Sequence, residues 1–365
     1  MKLGFICKWG KKKEDTWSGT PYGLYKELSK IYDIYDIDTG NTPKDLGSFL
    51  CKVKYKLDSL LGKNGMTDMN LFRMHVTSPR IRKLLKSQDI PCLMFEEILY
   101  DYPGKMYIYQ DLFAEYVKMI VDSDSELFSV SGYANCSKKS IYRRAEIQAD
   151  FYGKVEKIFT MGKWLEKCLV DEYHFPANKV VHVGGGINLD ASKIDYSLKN
   201  GHRILFVGRD FKRKNGQLVL DAFRILKSHD PEAELYIAGP KNLDVQMDGV
   251  YLLGNLSSDQ LCHYFNLCDV FCMPSKFEAY GLVFIEALVF GLPCIGRDAY
   301  EMPYFIEENK TGYLLREESP HVLAELMLQA LNNKEMHQNV RNKQEYYMKE
   351  YSWETVAKRI AAVIR

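Results

Sequence analysis

The chain of 365 residues is marked first by what it lacks. Its nine cysteines include no CxxC pair, and nine is odd. Several stand in apolar runs, as in Phe271-Cys272-Met273. This argues against a disulfide frame or a zinc site and reads as reduced, buried thiols of a cytoplasmic protein. The eight histidines form no HxxxH or HExxH set, and His75 and His182 read as structural. No apolar run approaches the roughly 18 residues that a membrane span needs. The opening MKLGFICKWGKKK has an apolar segment too short for a signal peptide, with its charge on the wrong side. No GxGxxG follows the first apolar run, which argues against an N-terminal dinucleotide site. Repeats and low-complexity tracts are absent.

The overall charge is nearly balanced at +1, so no nucleic-acid partner is expected. The balance is uneven along the chain. Residues 1–86 hold 17 Lys+Arg against 9 Asp+Glu, a surplus of +8, which leaves −7 for the rest. Such a surplus suits an anionic membrane face or an acidic ligand, and equally a solvated lysine-rich face.

Short apolar runs alternate with helical patterns throughout. Runs at 2–7, 34–37, 93–95, 107–109, 155–159 and 180–183 read as strands of a first half. Runs at 204–207, 235–238, 250–253, 270–273 and 294–295 read as strands of a second. Helices are expected between them, one opening at Thr20 as N-cap with Pro21 behind it. Another is opened by the capping box Ser257-Ser-Asp-Gln260, and Gly281–Phe290 is stopped by Gly291-Leu-Pro293. Residues 44–72 are lysine-rich and weakly patterned, and read as a helix or loop insertion. Units of this kind predict an α/β fold of two Rossmann-like domains, with parallel sheets facing a central cleft. The polar stretch 187–201 places the boundary. The expected division is 1–190, 191–345, and a C-terminal helical segment at 346–365.

Two stretches carry chemistry. In Phe206-Val-Gly-Arg-Asp-Phe-Lys-Arg-Lys-Asn-Gly216 a strand ends and Arg209 and Lys214 follow before a helix. A guanidinium fork and an ammonium together suit a diphosphate, although a solvated basic turn has the same composition. In Pro274-Ser-Lys-Phe-Glu-Ala-Tyr-Gly281 a strand runs into a glycine that opens a helix. Glu278 then stands in a strand-to-helix loop and Glu286 about one and a half turns into the helix. Carboxylates suit vicinal hydroxyls, and the N–H groups of Tyr280–Val283 offer an anion site. The alternative is that Glu278 favours the helix dipole and Glu286 pairs with a core lysine. Asp36-Ile-Asp38 and Asp122-Ser-Asp124 spell DxD, a triplet that can hold a metal ion but is common by chance.

Arg209, Lys214, Glu278-x7-Glu286, Gly281 and the Gly291-Leu-Pro293 stop resemble the retaining glycosyltransferases of family 4, which have the GT-B fold. Ser18-Gly-Thr-Pro-Tyr22, Val183-Gly-Gly-Gly-Ile-Asn188, Thr311-Gly-Tyr-Leu and Tyr351-Ser-Trp-Glu resemble further segments, so the likeness covers nearly the whole chain. The resemblance implies that Arg209 and Lys214 hold a donor diphosphate. It implies that Glu286 meets the ribose and Glu278 the transferred hexose. Gly19, Ala279, Tyr280, Gly281, Leu282, Val283 and Leu256 would complete the donor side, with loops 239–243 and 254–256 near the base. Asp111 in Tyr109-Gln-Asp111 is the acceptor-side candidate. Met302-Pro303-Tyr304 departs from the usual Met-Pro-Glu, which bears on Glu301 and Tyr304. A last helix returning to the first domain is also implied. The expected activity is metal-independent, retaining transfer from a UDP- or GDP-sugar to a glycan or lipid-linked acceptor in surface-polysaccharide synthesis. No cofactor is expected, and the expected location is the cytoplasm or the inner membrane face. An epimerase, a sugar phosphorylase or a non-catalytic sugar-nucleotide-binding protein could share the scaffold.

Overall fold

Leu3, Phe5 and Ile6 alternate across one strand, yet all three are buried. A strand covered on both faces belongs inside a parallel sheet with helices on either side. The computed structural model describes residues 1–40, 71–85, 89–197, 201–240 and 243–364, with 49, 50, 53, 54, 56, 57 and 60. Most of the expected insertion at 44–72 lies outside the described residues.

The chain divides into two units, Met1–Gly185 with the segment from Trp353 onward, and Gly186–Ser352. The first holds β1 (Lys2–Cys7), β2 (Asp33–Asp38), β3 (Cys92–Phe95), β4 (Met106–Gln110), β5 (Lys157–Thr160) and β6 (Val180–His182). They form one parallel sheet in the order β2-β1-β3-β4-β5-β6. The second holds β7 (Arg203–Val207), β8 (Glu234–Ala238), β9 (Val250–Gly254), β10 (Val270–Cys272), β11 (Cys294–Arg297) and β12 (Gly312–Leu315). Its sheet is also parallel, in the order β12-β11-β10-β7-β8-β9. Two six-stranded parallel sheets flanked by helices are the GT-B architecture. β12 was not among the strands expected from the sequence.

The boundaries fall at 185/186 and 352/353, rather than at 190/191 and 345/346. The shift has a local cause. Ile187 N donates to Tyr351 O at 2.9 Å and Asn188 N to Glu286 at 3.3 Å, which ties 187–188 to the second unit. Gln344 Nε2 donates to Val289 O at 2.9 Å, which holds the helix Gln344–Glu350 there as well. Only the helix Trp353–Val363 joins the first unit. It packs on the helix Thr20–Leu28, where a Cβ on Gly23 would lie 2.3 Å from Trp353 Nε1. The absent side chain at Gly23 is therefore the seat of the indole. Tyr32 Oη donates to Ile364 O at 3.2 Å on the same contact.

Candidate functional site

In each sheet the strand order reverses beside the unit's first strand. In the second unit this switch lies between β7 and β10, which are paired neighbours. Open α/β sheets bind ligands outside the carboxyl ends of their strands at such a point. The two stretches singled out in the sequence are the loops that leave β7 and β10 there.

The loop after β7 is a tight turn. Asp210 Oδ1 accepts from Arg213 N at 3.1 Å, Lys214 N donates to Asp210 O at 3.0 Å, and Gly216 N to Phe211 O at 2.8 Å. Asn215 closes it in the left-handed region with φ 59° and precedes the helix Gly216–His229. The turn sends Lys214 inward across Gly208, where a Cβ would lie 2.6 Å from Lys214 Cγ. Arg209 is exposed and forms no ion pair among the described residues.

The loop after β10 carries Glu278 to meet that lysine. Lys214 Nζ forms a hydrogen-bonded ion pair with Glu278 Oε2, and both side chains are 10% exposed. Burial, and then the neighbouring Arg213 cation, push the Lys214 ammonium well below the ordinary lysine range. The Asp210 carboxylate opposes that shift. Ser275 Oγ lies 3.5 Å from the same oxygen. Gly281, left-handed at φ 93°, opens the helix Leu282–Val289. Ala279, Leu282 and Val283 are half-buried, while Tyr280 is buried against Phe305.

Glu286 lies inside that helix among Phe284, Ile285, Ala287, Leu288 and Val289, all buried. Burial pushes its carboxyl up to about 7, opposed only by the hydrogen bond from Asn188 N. No core lysine pairs with it, and no ion pair to Glu286 forms among the described residues. Leu256 is half-buried in the loop after β9. Positions 241 and 242 of the other expected base loop lie outside the described residues.

Gly19 and Asp111 belong to the first unit. Gly19, at φ 87°, is the N-cap of Thr20–Leu28, so the cap is one residue earlier than the expected Thr20. Trp17 and Ser18 before it are also left-handed, at φ 44° and 56°. Three successive residues in that region make an unusual approach to a helix start. Asp111 follows β4 directly and is half-buried. With burial as the main cause, its charge helps hold the Tyr109 phenol protonated.

The DxD aspartates have other work. Asp36 accepts from Trp9 Nε1 at 2.8 Å and pairs with Lys13, and Asp38 accepts from Gly40 N at 2.7 Å. Asp122 accepts from Tyr142 Oη, and Asp124 caps the helix Ser125–Val130. Among the described residues no group of three or more His, Cys, Asp or Glu is placed to hold a metal ion. Glu301 is buried just before the short helix Met302–Phe305, which contains Tyr304.

Two residues were missed by reading the sequence. Arg213 Nη1 donates to Phe277 O at 3.0 Å and lies 4.0 Å from Glu278 Oε2. Asn215 has a buried amide nitrogen with no hydrogen-bond partner among the described residues. In the run Lys212-Arg213-Lys214-Asn215 nothing in the letters separates these from solvated neighbours.

The class defined by this fold is GT-B, and the comparisons agree. Residues 192–347 match the family model described as "Glycosyl transferases group 1", a span inside the second unit. N-acetyl-alpha-D-glucosaminyl L-malate synthase of Bacillus anthracis is 30% identical over 159 residues, 40% of this chain and 41% of that one. An amylovoran biosynthesis glycosyltransferase of Erwinia amylovora is 29% identical over 171 residues, 42% of each chain. The chain spans about half the length of the curated relatives it matches. Sucrose-phosphate synthase of Thermosynechococcus elongatus superposes with a TM-score of 0.70 at 13% identity, over 99% of this chain and 98% of that one. A variant of S. aureus TarM, solved with UDP and alpha-GlcNAc-glycerol among its ligands, gives 0.61 at 16% identity, over 80% and 59%. Among the described residues no helix is long and apolar enough to cross a membrane.

Proposed function

We propose that the protein is a retaining, metal-independent glycosyltransferase. It would move a hexose from a UDP- or GDP-sugar to a hydroxyl of a glycan or lipid-linked acceptor. The observation that carries the reading is the meeting of Lys214 and Glu278 at the carboxyl ends of adjacent strands, with Arg209 exposed on the same turn as Lys214. The group 1 match over the second unit and the UDP-bound structural relative support a nucleotide-sugar donor. The amylovoran relative supports a place in polysaccharide synthesis.

In this reading the difficult step is departure of the nucleoside diphosphate. Arg209 and Lys214 stabilise the charge that develops on it, assisted by the N–H groups at the start of Leu282–Val289. Fixed cations of this kind supply what a divalent metal supplies elsewhere. Glu286 accepts from the ribose hydroxyls, and Glu278 from hydroxyls of the hexose. Leu256, Ala279, Tyr280 and the Gly19 loop complete the donor side, and Asp111 stands on the acceptor side. Retention follows from front-face attack, in which the acceptor oxygen bonds to the anomeric carbon as the phosphate oxygen leaves. The leaving phosphate then takes the acceptor's proton.

We further propose a cytoplasmic protein that docks peripherally on anionic membrane. The basic surplus of residues 1–86 supports this, as do exposed Phe49, Leu57 and Leu60 beside exposed Lys54 and Lys56. Co-sedimentation with anionic vesicles at low salt is the expected result, and no binding removes this part.

The function is tested by a thermal-shift screen against nucleotide sugars, since a donor at 100-fold its Kd adds about 2.7 kcal/mol. Transfer from the hit should survive exhaustive EDTA treatment, and the product should keep the donor's anomeric configuration. A strict Mn²⁺ or Mg²⁺ requirement rejects the metal-free scheme, and an inverted product rejects retention.

A further inference from the structure

The donor reading makes two demands on Lys214. In the structure its ammonium is committed to Glu278. During turnover it must face a diphosphate. Glu278 is then a carboxylate with a 10% exposed side chain, with Ser275 Oγ at 3.5 Å and, among the described residues, no other cation within 3.5 Å. A buried carboxylate without a cation readily takes up a proton, and a protonated one is a poorer acceptor for two sugar hydroxyls.

The other cations of these loops are turned elsewhere. Lys276 and Arg297 both pair with Glu318, each at 3.3 Å, and Arg297 also donates to Lys276 O at 3.2 Å. Arg209 and Lys212 are exposed on the turn. Arg213 differs from all of them. Its Nε pairs with Asp210 at 3.4 Å, and its Nη1 donates to Phe277 O at 3.0 Å. Lys276 N donates to Arg213 O at 2.9 Å. These ties hold the guanidinium against the Glu278 loop, 4.0 Å from Glu278 Oε2. A movement of about 1 Å converts that separation to a charge-assisted hydrogen bond.

We propose that Arg213 is the reserve counter-ion of Glu278: it takes the carboxylate when Lys214 turns to the donor's diphosphate. Arg213 is thus a positioning residue, acting through Glu278 and not on the reacting atoms. The proposal rests on the donor reading above.

The test is a melting cycle on the full chain with Lys214→Met, Arg213→Gln and the double variant, in wild type and in Glu278→Gln. Each single change leaves the carboxylate one cation, and the double leaves none. The double variant should melt below the sum of the single shifts by about 3 °C or more, and Glu278→Gln should abolish that excess. Arg213→Lys should restore most of the loss that Arg213→Gln causes in the Lys214→Met background. If the double variant does not fold, recovery of a cooperative melt on adding Glu278→Gln supports the same conclusion. Additive shifts overturn the proposal. So does an excess that persists in Glu278→Gln, because the tie to Phe277 O alone would then explain it.

Saturating UDP or GDP, whichever binds, should deepen the Arg213→Gln shift, since Lys214 is then engaged. An unchanged shift overturns the handover. Binding of neither nucleotide to wild type overturns the donor reading and the handover with it, whereas the cycle without nucleotide reports separately on the shared carboxylate.

Discussion

Glu278 and Glu286 are buried to nearly the same degree, 8% and 6% exposed, yet they face opposite surroundings. Glu278 is carried by a loop whose backbone is tied to side chains from elsewhere: Phe277 O to Arg213, and Lys276 O to Arg297 and Tyr300. Its carboxylate meets Lys214, with Arg213 behind. Glu286 is carried by the buried stretch Phe284–Val289 of its helix, and it accepts from one backbone N–H. Burial alone therefore does not decide what a carboxylate does. A charged neighbour ties it into an ion pair, whereas an apolar cage makes it a group that titrates near neutrality.

Several substitutions can break this contrast. The largest effect on stability is expected from Glu278→Gln, which strands Lys214 as a buried cation. It should cost about 3–5 kcal/mol in denaturant unfolding. Glu286→Gln should act in the opposite direction at alkaline pH. Its carboxyl titrates at about 7 folded, against 4.5 as the ordinary value. The raised value means that the folded protein holds the proton longer, so the stability contributed by the neutral form falls as pH rises from about 4.5 to 7. Above that the whole penalty is present, on the order of 3 kcal/mol. Unfolding at pH 5 and pH 8 should show Glu286→Gln gaining on wild type at the higher pH. A constant difference would mean that the carboxyl is not caged.

The same titration gives a binding prediction. Ribose hydroxyls donate to the ionised carboxylate, so nucleotide affinity should rise roughly tenfold from pH 6 to pH 8 in wild type, or about 1.4 kcal/mol. The rise should vanish in Glu286→Gln. Isothermal titration at the two pH values settles it. The smallest effect is expected at Gly208→Ala, where the new methyl meets the Lys214 stem. Transfer should fall about tenfold while melting shifts by no more than about 1 kcal/mol, the scale of a local adjustment. Equal activity would mean that the lysine's path across Gly208 is not required.

The contrast also explains what the sequence disclosed. Buried parallel strands are continuous apolar runs, so Val270–Cys272 and Ile204–Val207 were legible directly. The capping box at Ser257 was legible because both of its hydrogen bonds are local, and both form. β12 was missed because Gly312-Tyr-Leu-Leu opens on glycine, a weak strand former. That glycine is set by a neighbour far along the chain, since a Cβ there would lie 1.9 Å from Cys294 O. The cap at Gly19 was displaced by one residue because left-handed backbone at Trp17 and Ser18 has no residue-type signature. Lys214 and Glu278 were legible as types at a spacing. Their direct pairing, and the choice of Arg213 over exposed Lys212 as its neighbour, depend on two turns folding against each other. The contact division differs from the expected boundary by a few residues for the same reason, because the Glu286 carboxylate and Tyr351 O accept from the backbone N–H groups of 188 and 187.

The central claim is that the loops after β7 and β10 hold a nucleoside diphosphate. Its most direct test is equilibrium binding of UDP, GDP and their sugar conjugates to wild type and Arg209→Ala. Arg209 is exposed and forms no ion pair among the described residues, so its removal should leave the melt unchanged. Affinity should fall about 30-fold or more, on the order of 2 kcal/mol. Equal affinity in the two proteins, or no nucleotide binding by wild type, would contradict the account.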